Sequence, residues 1–282
     1  MEGSGSGSSD DEVVFEMAQF IRVYKSGRVE RYFGSDPVPS STDAATGVAS
    51  KDRAISPDVA VRLYLPPATT KSEEDNNRDG GGSNKKLPVL VYFHGGGFCL
   101  HTAFNFVFHA YLTSLAARAR AVVVSVDAGA NIAHHVAMRA GAEPLPHGCR
   151  ISGVAAVHPY FLGPGRVASE ETDPAMADSV AVMWRVVCPG TSGVDDPWIN
   201  PLAADAPGLE RLACARVLVC LAEKDVVRDR GRDYADALRA SRWAGEVDVL
   251  EVKGQGHCFH LVDFACDDAV AQDDAIARFV NL

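Results

Sequence analysis

The chain has no excess of positive charge and no long apolar segment. Its 37 Asp and Glu residues outnumber 27 Lys and Arg residues, which gives a formal net charge of -10. Nucleic acids and anionic membranes are bound by clustered Lys and Arg, so we expect neither as a partner. No apolar run approaches the ~20 residues that span a bilayer. The composition therefore argues against both a nucleic acid and a membrane as partner.

The seven cysteines include no Cys-x-x-Cys pair, and the N-terminus, MEGSGSGSSDDE, lacks the basic start and apolar centre of a signal peptide. These two absences predict reduced thiols in the cytoplasm, with the nucleus as a second location. His257, Cys258 and His260 lie close together in the sequence, but no second group of ligands accompanies them. We therefore predict no metal and no cofactor.

Hydrophobic residues make up 47% of the chain, enough for a substantial core. The Gly/Ser-rich residues 1–11 are predicted to be disordered, and residues 12–282 to form a single α/β domain. Within it, the polar segment 69–86 is expected to be a flexible loop. The segment 162–212 looks irregular and is expected to form a lid-like insertion over a pocket.

Strands and helices are predicted to alternate, which is typical of a mostly parallel, doubly wound sheet. Gly141 is expected to end the second helix. Apolar and alternating runs predict strands at Val59–Leu65, Leu87–Phe93, Ala121–Val126, Ile151–His158, Arg216–Ala222 and Val247–Val252. Helical spacing predicts helices at Phe106–Arg120, Asn131–Ala140, Arg228–Ser241 and Asp267–Val280.

A glycine-rich motif, His94-Gly95-Gly96-Gly97, follows the predicted strand Leu87–Phe93. Consecutive glycines let backbone N–H groups turn toward a developing negative charge without obstruction from side chains. The motif therefore predicts half of an oxyanion hole. The nucleophile motif that accompanies such a loop, Gly-x-Ser-x-Gly, is absent from the chain.

Asp225 and His257 follow two successive predicted strands, Arg216–Ala222 and Val247–Val252. Ligands of open α/β sheets bind outside the carboxyl ends of the strands, so we expect both residues at one edge. A carboxylate that orients an imidazole is the general-base half of a nucleophilic triad. Taken singly, the Asp could equally serve in a turn and the His could simply be hydrogen-bonded. Their shared placement behind the glycine loop favours catalysis.

Six segments of the chain, named at the end of this paragraph, together resemble the plant carboxylesterase family of α/β-hydrolases. This family is related to hormone-sensitive lipase and includes the gibberellin receptors. The resemblance implies an α/β-hydrolase fold and hydrolysis of carboxylic esters, with Asp225 as the triad acid and His257 as its base. It also implies that the N–H groups of Gly95, Gly96 and Ala128 form the oxyanion hole. The catalytic His is replaced in the receptor branch, so His257 argues against a gibberellin receptor. The matching segments are Ile55–Pro66, Leu87–Phe98, Ala130–Arg139, Asp195–Leu202, Val217–Arg232 and Gly254–His260.

The family pattern breaks between Val126 and Ala130, where a Gly-Asp-Ser-Ala-Gly elbow is expected. The residues before the break resemble one strand of the family, and those after it resemble the helix that follows the elbow. A missing strand–helix unit removes ~30 or more residues. The simplest account is an internal deletion: an altered splice product, an error in the gene model or a degenerating copy.

Two residues are candidates to replace the missing serine. If the strand Ala121–Val126 slides into the vacant position, Asp127 occupies the nucleophile position. An N-cap of the following helix is the favoured role of Asp127, because Asp is well suited to it. Ser125 is the other substitute, although it is expected to remain an ordinary strand residue.

The sequence therefore predicts a carboxylesterase-like protein whose hydrolytic activity is impaired because the nucleophilic serine is absent. One alternative is a non-catalytic binder of small molecules that uses the surviving pocket, in the manner of the receptors. The other is an unstable, truncated product.

Overall fold

The computed structural model describes residues 12–17, 20–32, 36–67, 86–126 and 129–282. The segment predicted to be disordered, 1–11, lies outside the described residues, as does most of the predicted loop 69–86.

The described strands form three hydrogen-bonded sheets. A small antiparallel sheet contains β1 (Val13–Met17), β2 (Ile21–Tyr24) and β3 (Val29–Arg31). A four-stranded sheet has the order β4 (Ala49–Ser56), β5 (Val59–Leu65), β7 (Val122–Val126), β6 (Val89–Phe93). A parallel sheet has the order β10 (Glu246–Val252), β9 (Arg216–Ala222), β8 (Gly153–Val157).

Helices connect and cover these strands, and short 3-10 turns lie at Pro146–Gly148 and Leu209–Arg211. The helices are α1 (Phe106–Ala119), α2 (Ala130–Ala142), α3 (Ala168–Thr172), α4 (Pro174–Val187), α5 (Arg228–Ala240), α6 (Phe259–Val262) and α7 (Asp267–Asn281). No helix in the described ranges is both long and apolar enough to cross a bilayer.

Alternate residues of β9 face two different helical layers, as the period of two in a strand requires. Val217, Val219 and Leu221 pack with α2 and α5. Leu218 and Cys220 pack with α1 and α7 in a cluster that also contains Tyr64 and Val123 of the four-stranded sheet. Helices therefore cover both faces, which confirms the predicted α/β fold.

Within the described residues, the four-stranded sheet and the parallel sheet are not joined by hydrogen bonds at the place where the strand predicted to be missing would lie. β6 pairs with β7 on one side, and β8 pairs with β9 on one side. Among the described residues no strand pairs with the other edge of either. Loss of a central strand predicts this break.

The slide of Ala121–Val126 into the vacant position, one way in which the gap could be filled, does not occur. β7 pairs in parallel with β6 over its whole length, from Val122 opposite Val89 to Val126 opposite Phe93. Its other edge pairs antiparallel with β5, where Ser125 lies opposite Arg62. Moving β7 would break both ladders, so it stays between β5 and β6 and the gap remains.

Two local predictions also need correction. Gly141 does not end α2, which continues to Ala142. A side chain at Gly141 would collide with the backbone oxygen of Arg211, so this glycine allows close packing within the helix. The segment 162–212 is also not wholly irregular, because it contains α3 and α4.

Candidate active site

Asp225 and His257 form a hydrogen-bonded pair at the carboxyl ends of β9 and β10. The two strands run parallel in register, with Val252 opposite Ala222, so the loops that follow them lie side by side. His257 Nδ1 donates to Asp225 Oδ2 at 2.7 Å. The Asp225 side chain is buried, whereas that of His257 is 51% exposed. The structure thus brings together the two residues that the sequence predicted as acid and base.

The charges of the pair shift both pKa values. Burial raises the pKa of the Asp225 carboxyl. The hydrogen bond from His257 and its positive charge outweigh this effect, so the pKa lies below its usual 3.8. Partial desolvation by the surrounding protein lowers the pKa of His257, but the adjacent Cys258 sulfur and the Asp225 carboxylate raise it well above 6.5. This arrangement holds the Nδ1 proton toward Asp225 and leaves Nε2 as the nitrogen available for proton transfer.

His158, which the sequence analysis did not select, positions the loop that carries His257. It follows β8 directly, and its Nδ1 accepts a hydrogen bond from the backbone N–H of Cys258 at 2.8 Å. Its ring centroid is 5.6 Å from that of His257. Burial lowers the pKa of His158 to about 3, so the ring is neutral at pH 7. Because His158 lies at the end of a predicted parallel strand, the sequence could have indicated it as a residue of the site.

Backbone contacts fix the rest of the loop. Glu223 Oε2 accepts from the N–H of Gly254 at 2.7 Å, and the N–H of Lys224 donates to the carbonyl of Gln255 at 2.8 Å. The loops after β9 and β10 are therefore joined by hydrogen bonds just before Asp225 and His257.

The glycine loop lies at the end of β6, as predicted. Gly96 and Gly97 have φ angles of 128° and 54°, which disfavour residues with side chains. No acceptor in the described part of the chain takes a hydrogen bond from the N–H groups of Gly95, Gly96 or Gly97. Such unpaired donors are what an oxyanion hole requires.

Packing holds this loop in place. The His94 ring stacks on Phe108 with centroids 4.8 Å apart, and its Nδ1 donates to the carbonyl of Gly95 at 2.7 Å. A side chain at Gly97 would collide with Met183 of α4. The segment expected to form a lid thus packs on the glycine loop.

Of the two candidate replacements for the nucleophile, the structure describes Ser125 alone. Asp127 and Ala128 lie outside the described residues. Ser125 is fully buried in β7, and its Oγ has no hydrogen-bond partner. Within the described ranges, no hydroxyl is bonded to the His257 ring.

Three side chains here have the chemistry of metal ligands. Ligand atoms of His158, His257 and Cys258 lie within 4.8 Å of one another, whereas His260, considered from the sequence, is not in this group. His158 Nδ1 accepts the Cys258 N–H, so the neutral ring carries its proton on Nε2 and has no free lone pair. The group is therefore not arranged to hold a metal without rearrangement.

Two of the cavities among the described residues lie near the glycine loop and the segment expected to form a lid. One, of about 200 Å³, lies against the glycine loop, where Arg31, Gly95, Phe98 and His101 contribute to its wall. The other, of about 360 Å³, lies between α5 and the residues around Asn200. Neither is lined by Asp225 or His257.

The profile of the alpha/beta hydrolase fold family matches residues 90–127 and 128–261. Tuliposide A-converting enzyme 1 of Tulipa gesneriana, described as chloroplastic, is 37% identical, over 96% of this chain and 79% of its own length. The chain belongs to the plant carboxylesterase family of α/β-hydrolases.

Other members support the same assignment. Probable carboxylesterase 7 of Arabidopsis thaliana is 35% identical, over 96% of this chain and 99% of its own length. The 2-hydroxyisoflavanone dehydratase of Glycyrrhiza echinata is 36% identical, over 93% of this chain and 94% of its own length. The predicted family is thereby confirmed.

Solved structures support the fold alone. Esterase LipW from Mycobacterium marinum has a TM-score of 0.65 at 20% identity, over 84% of this chain and 82% of its own. Carboxyl esterase 2 from Tuber melanosporum has a TM-score of 0.66 at 16% identity, over 85% of this chain and 89% of its own.

The family match also marks where this carboxylesterase relative is interrupted. The two matched segments meet between residues 127 and 128. The alignment with the Tulipa enzyme spans 325 positions, whereas this chain has 282 residues. Relatives therefore carry residues that have no counterpart here.

Proposed function

We propose that this chain is a carboxylesterase-like protein whose ester hydrolysis is impaired because the nucleophilic serine is absent. The observation that carries the proposal is the Asp225–His257 hydrogen bond of 2.7 Å beside an imidazole with no hydroxyl bonded to it in the described structure. The absence of Gly-x-Ser-x-Gly from the chain supports it.

In a serine esterase, the hydroxyl attacks the ester carbonyl, and the imidazole takes its proton and passes it to the leaving alkoxide. Here His257 Nε2 can accept and return that proton, because Asp225 holds Nδ1 in the donor state. The N–H groups of Gly95 and Gly96, with Ala128 as the third donor, would stabilise the oxyanion. What these groups lack is the atom that forms the acyl bond.

The test is hydrolysis of p-nitrophenyl acetate and butyrate by the wild-type protein and by His257→Ala. We expect the two rates to agree within about twofold, since His257 has no hydroxyl to activate. A wild-type rate more than about tenfold above that of His257→Ala contradicts the proposal.

Two further variants test the substitute nucleophiles. The N-cap role favoured for Asp127 is wrong, because α2 has Gly129 as its N-cap and no side-chain cap bond. Ser125→Ala and Asp127→Asn are expected to leave the rate unchanged, because we propose that neither side chain replaces the missing serine. A loss of rate in one of them, matching the loss in His257→Ala, would identify that residue as the nucleophile.

Binding without catalysis is the second candidate function, and the cavity against the glycine loop favours it. The expected ligand is a small organic molecule rather than a nucleic acid or a membrane, given the net charge of -10.

A location in the cytoplasm, and also in the nucleus, stays a prediction, since two tulip relatives are described as chloroplastic. Imaging of a fluorescent fusion of the full chain tests it.

A further inference from the structure

We infer that the cavity beside the glycine loop binds a carboxylate, with Arg31 as the residue that recognises its charge. The inference extends the proposed function by naming a ligand class, and it holds whether or not the chain turns over esters. Three features of the cavity support it: an Arg31 guanidinium without an ion pair in the described ranges, the lack of acidic residues in the described wall, and the N–H donors of the glycine loop.

Arg31, the last residue of β3, lines the cavity, and within the described ranges its Nε is the side-chain donor that forms a hydrogen bond. Its Nε donates to the carbonyl of Cys99 at 2.7 Å, which orients the guanidinium against the loop. No carboxylate in the described ranges forms an ion pair with it. The neighbouring Glu30 is engaged by Tyr24 and Arg28. Since successive strand residues point to opposite faces, Glu30 is directed away from Arg31.

The described residues that line the cavity include no Asp or Glu. A guanidinium presents paired N–H donors that match the two oxygens of a carboxylate. The N–H of Gly95, which has no acceptor in the described structure, adds a donor from the loop itself. An acceptor-only anion satisfies both.

The rest of the wall indicates what the carboxylate is attached to. Phe98 and Leu100 line the same cavity, and the Phe98 ring lies 5.8 Å from the rings of Tyr160 and Trp184. An apolar group joined to the carboxylate would contact these side chains. The volume of about 200 Å³ limits the enclosed part to a compact one. A small aryl or alkyl carboxylate is therefore the expected class.

Phenylacetate and phenylacetamide form a matched pair of probes, because they differ in charge and little in shape. By calorimetry at pH 7 we expect the wild-type protein to bind phenylacetate at least about tenfold more tightly than phenylacetamide. Arg31→Gln is expected to remove this preference, and Arg31→Lys to restore part of it, since Lys keeps the charge but not the fork. Inorganic phosphate is included to separate carboxylate recognition from general anion binding.

Arg22→Gln is the matched control, because it removes the same charge from the same small sheet at a residue paired with Glu16. It is expected to bind phenylacetate as the wild type does. The inference is overturned if Arg31→Gln, shown to be folded by circular dichroism, keeps the preference, or if phosphate competes equally. Absence of phenylacetate binding up to about 10 mM also overturns it. None of these outcomes depends on ester turnover, so the proposed function is tested separately.

Discussion

Asp225 and the adjacent Cys258 sulfur both favour the protonated form of His257. The buried carboxylate accepts from Nδ1 at 2.7 Å, and the pKa of His257 lies well above 6.5. Because the folded-state pKa is raised, the imidazolium stabilises the fold below about pH 6.5, and this contribution is lost as the pH rises through the folded-state value.

Asp225→Asn is expected to lower the pKa of His257, since an amide supplies no negative charge. Titration of the imidazole resonances by NMR measures the change. Asp229→Asn serves as the control, because Asp229 bonds to Arg228 and Ser169 rather than to His257. An unchanged His257 pKa in Asp225→Asn would show that the pair does not govern the proton.

A second buried carboxyl, Asp273 of α7, predicts an unusual pH dependence of stability. It is 1% exposed, and burial raises its pKa to about 6, although the hydroxyl of Tyr111 donates to it at 2.9 Å. A carboxyl with a raised pKa favours the folded state when protonated. The free energy of unfolding should therefore fall as the pH rises from about 4 to about 6.

Asp273→Asn is expected to remove this pH dependence and to stabilise the protein at pH 7 by about 3 kcal/mol, from a shift of about two pKa units. Urea unfolding at a series of pH values measures it. Asp274→Asn, a neighbouring change at an exposed residue that pairs with Arg118, should keep the wild-type slope. The same slope in Asp273→Asn would refute the account of this carboxyl.

At the scale of elements, β6 is an edge strand with exposed apolar side chains. Val89 and Val91 are 63% and 48% exposed on one face, while Leu90 and Tyr92 pack into the core on the other. An open edge of this kind is a template for pairing with another chain. The edge is open because no other described strand pairs with β6 on that side, and not because of the residues of β6 themselves.

Val91→Lys is expected to reduce aggregation, since a charged side chain on an edge strand opposes intermolecular pairing. Light scattering during storage and heating measures it. Val182→Lys, at a residue of similar exposure on α4, is the control and should have a smaller effect. Equal effects of the two changes would mean that general solubility, not the β6 edge, is responsible.

The sequence predicted the elements that have strong apolar runs. The predicted bounds of Val59–Leu65 and Arg216–Ala222 agree with β5 and β9. It missed the strands β1 to β3, which are only three to five residues long. It also missed α4, although Asp173 before Pro174 is a helix-start signal, and the Asp173 side chain accepts from the N–H of Met176.

At the scale of the whole molecule, the strand-end rule was sufficient to pair Asp225 with His257 across 32 residues. It could not reveal the contact between His158 and Cys258, which are 100 residues apart and share no motif. The fate of β7 was also beyond the sequence, because hydrogen bonding to β5 and β6 decides it. Local sequence patterns predict where a strand lies in the chain, whereas its pairing partners are decided by the hydrogen bonds of the assembled sheet.

The central claim is that the base and the oxyanion donors of an esterase persist without an activated hydroxyl. Fluorophosphonate labelling followed by intact-mass measurement tests it most directly, because the reagent forms a stable adduct with an activated serine. The account predicts that the wild-type protein and His257→Ala both remain unmodified under conditions that fully label an active serine esterase. One adduct per chain in the wild type, absent from His257→Ala, would contradict it.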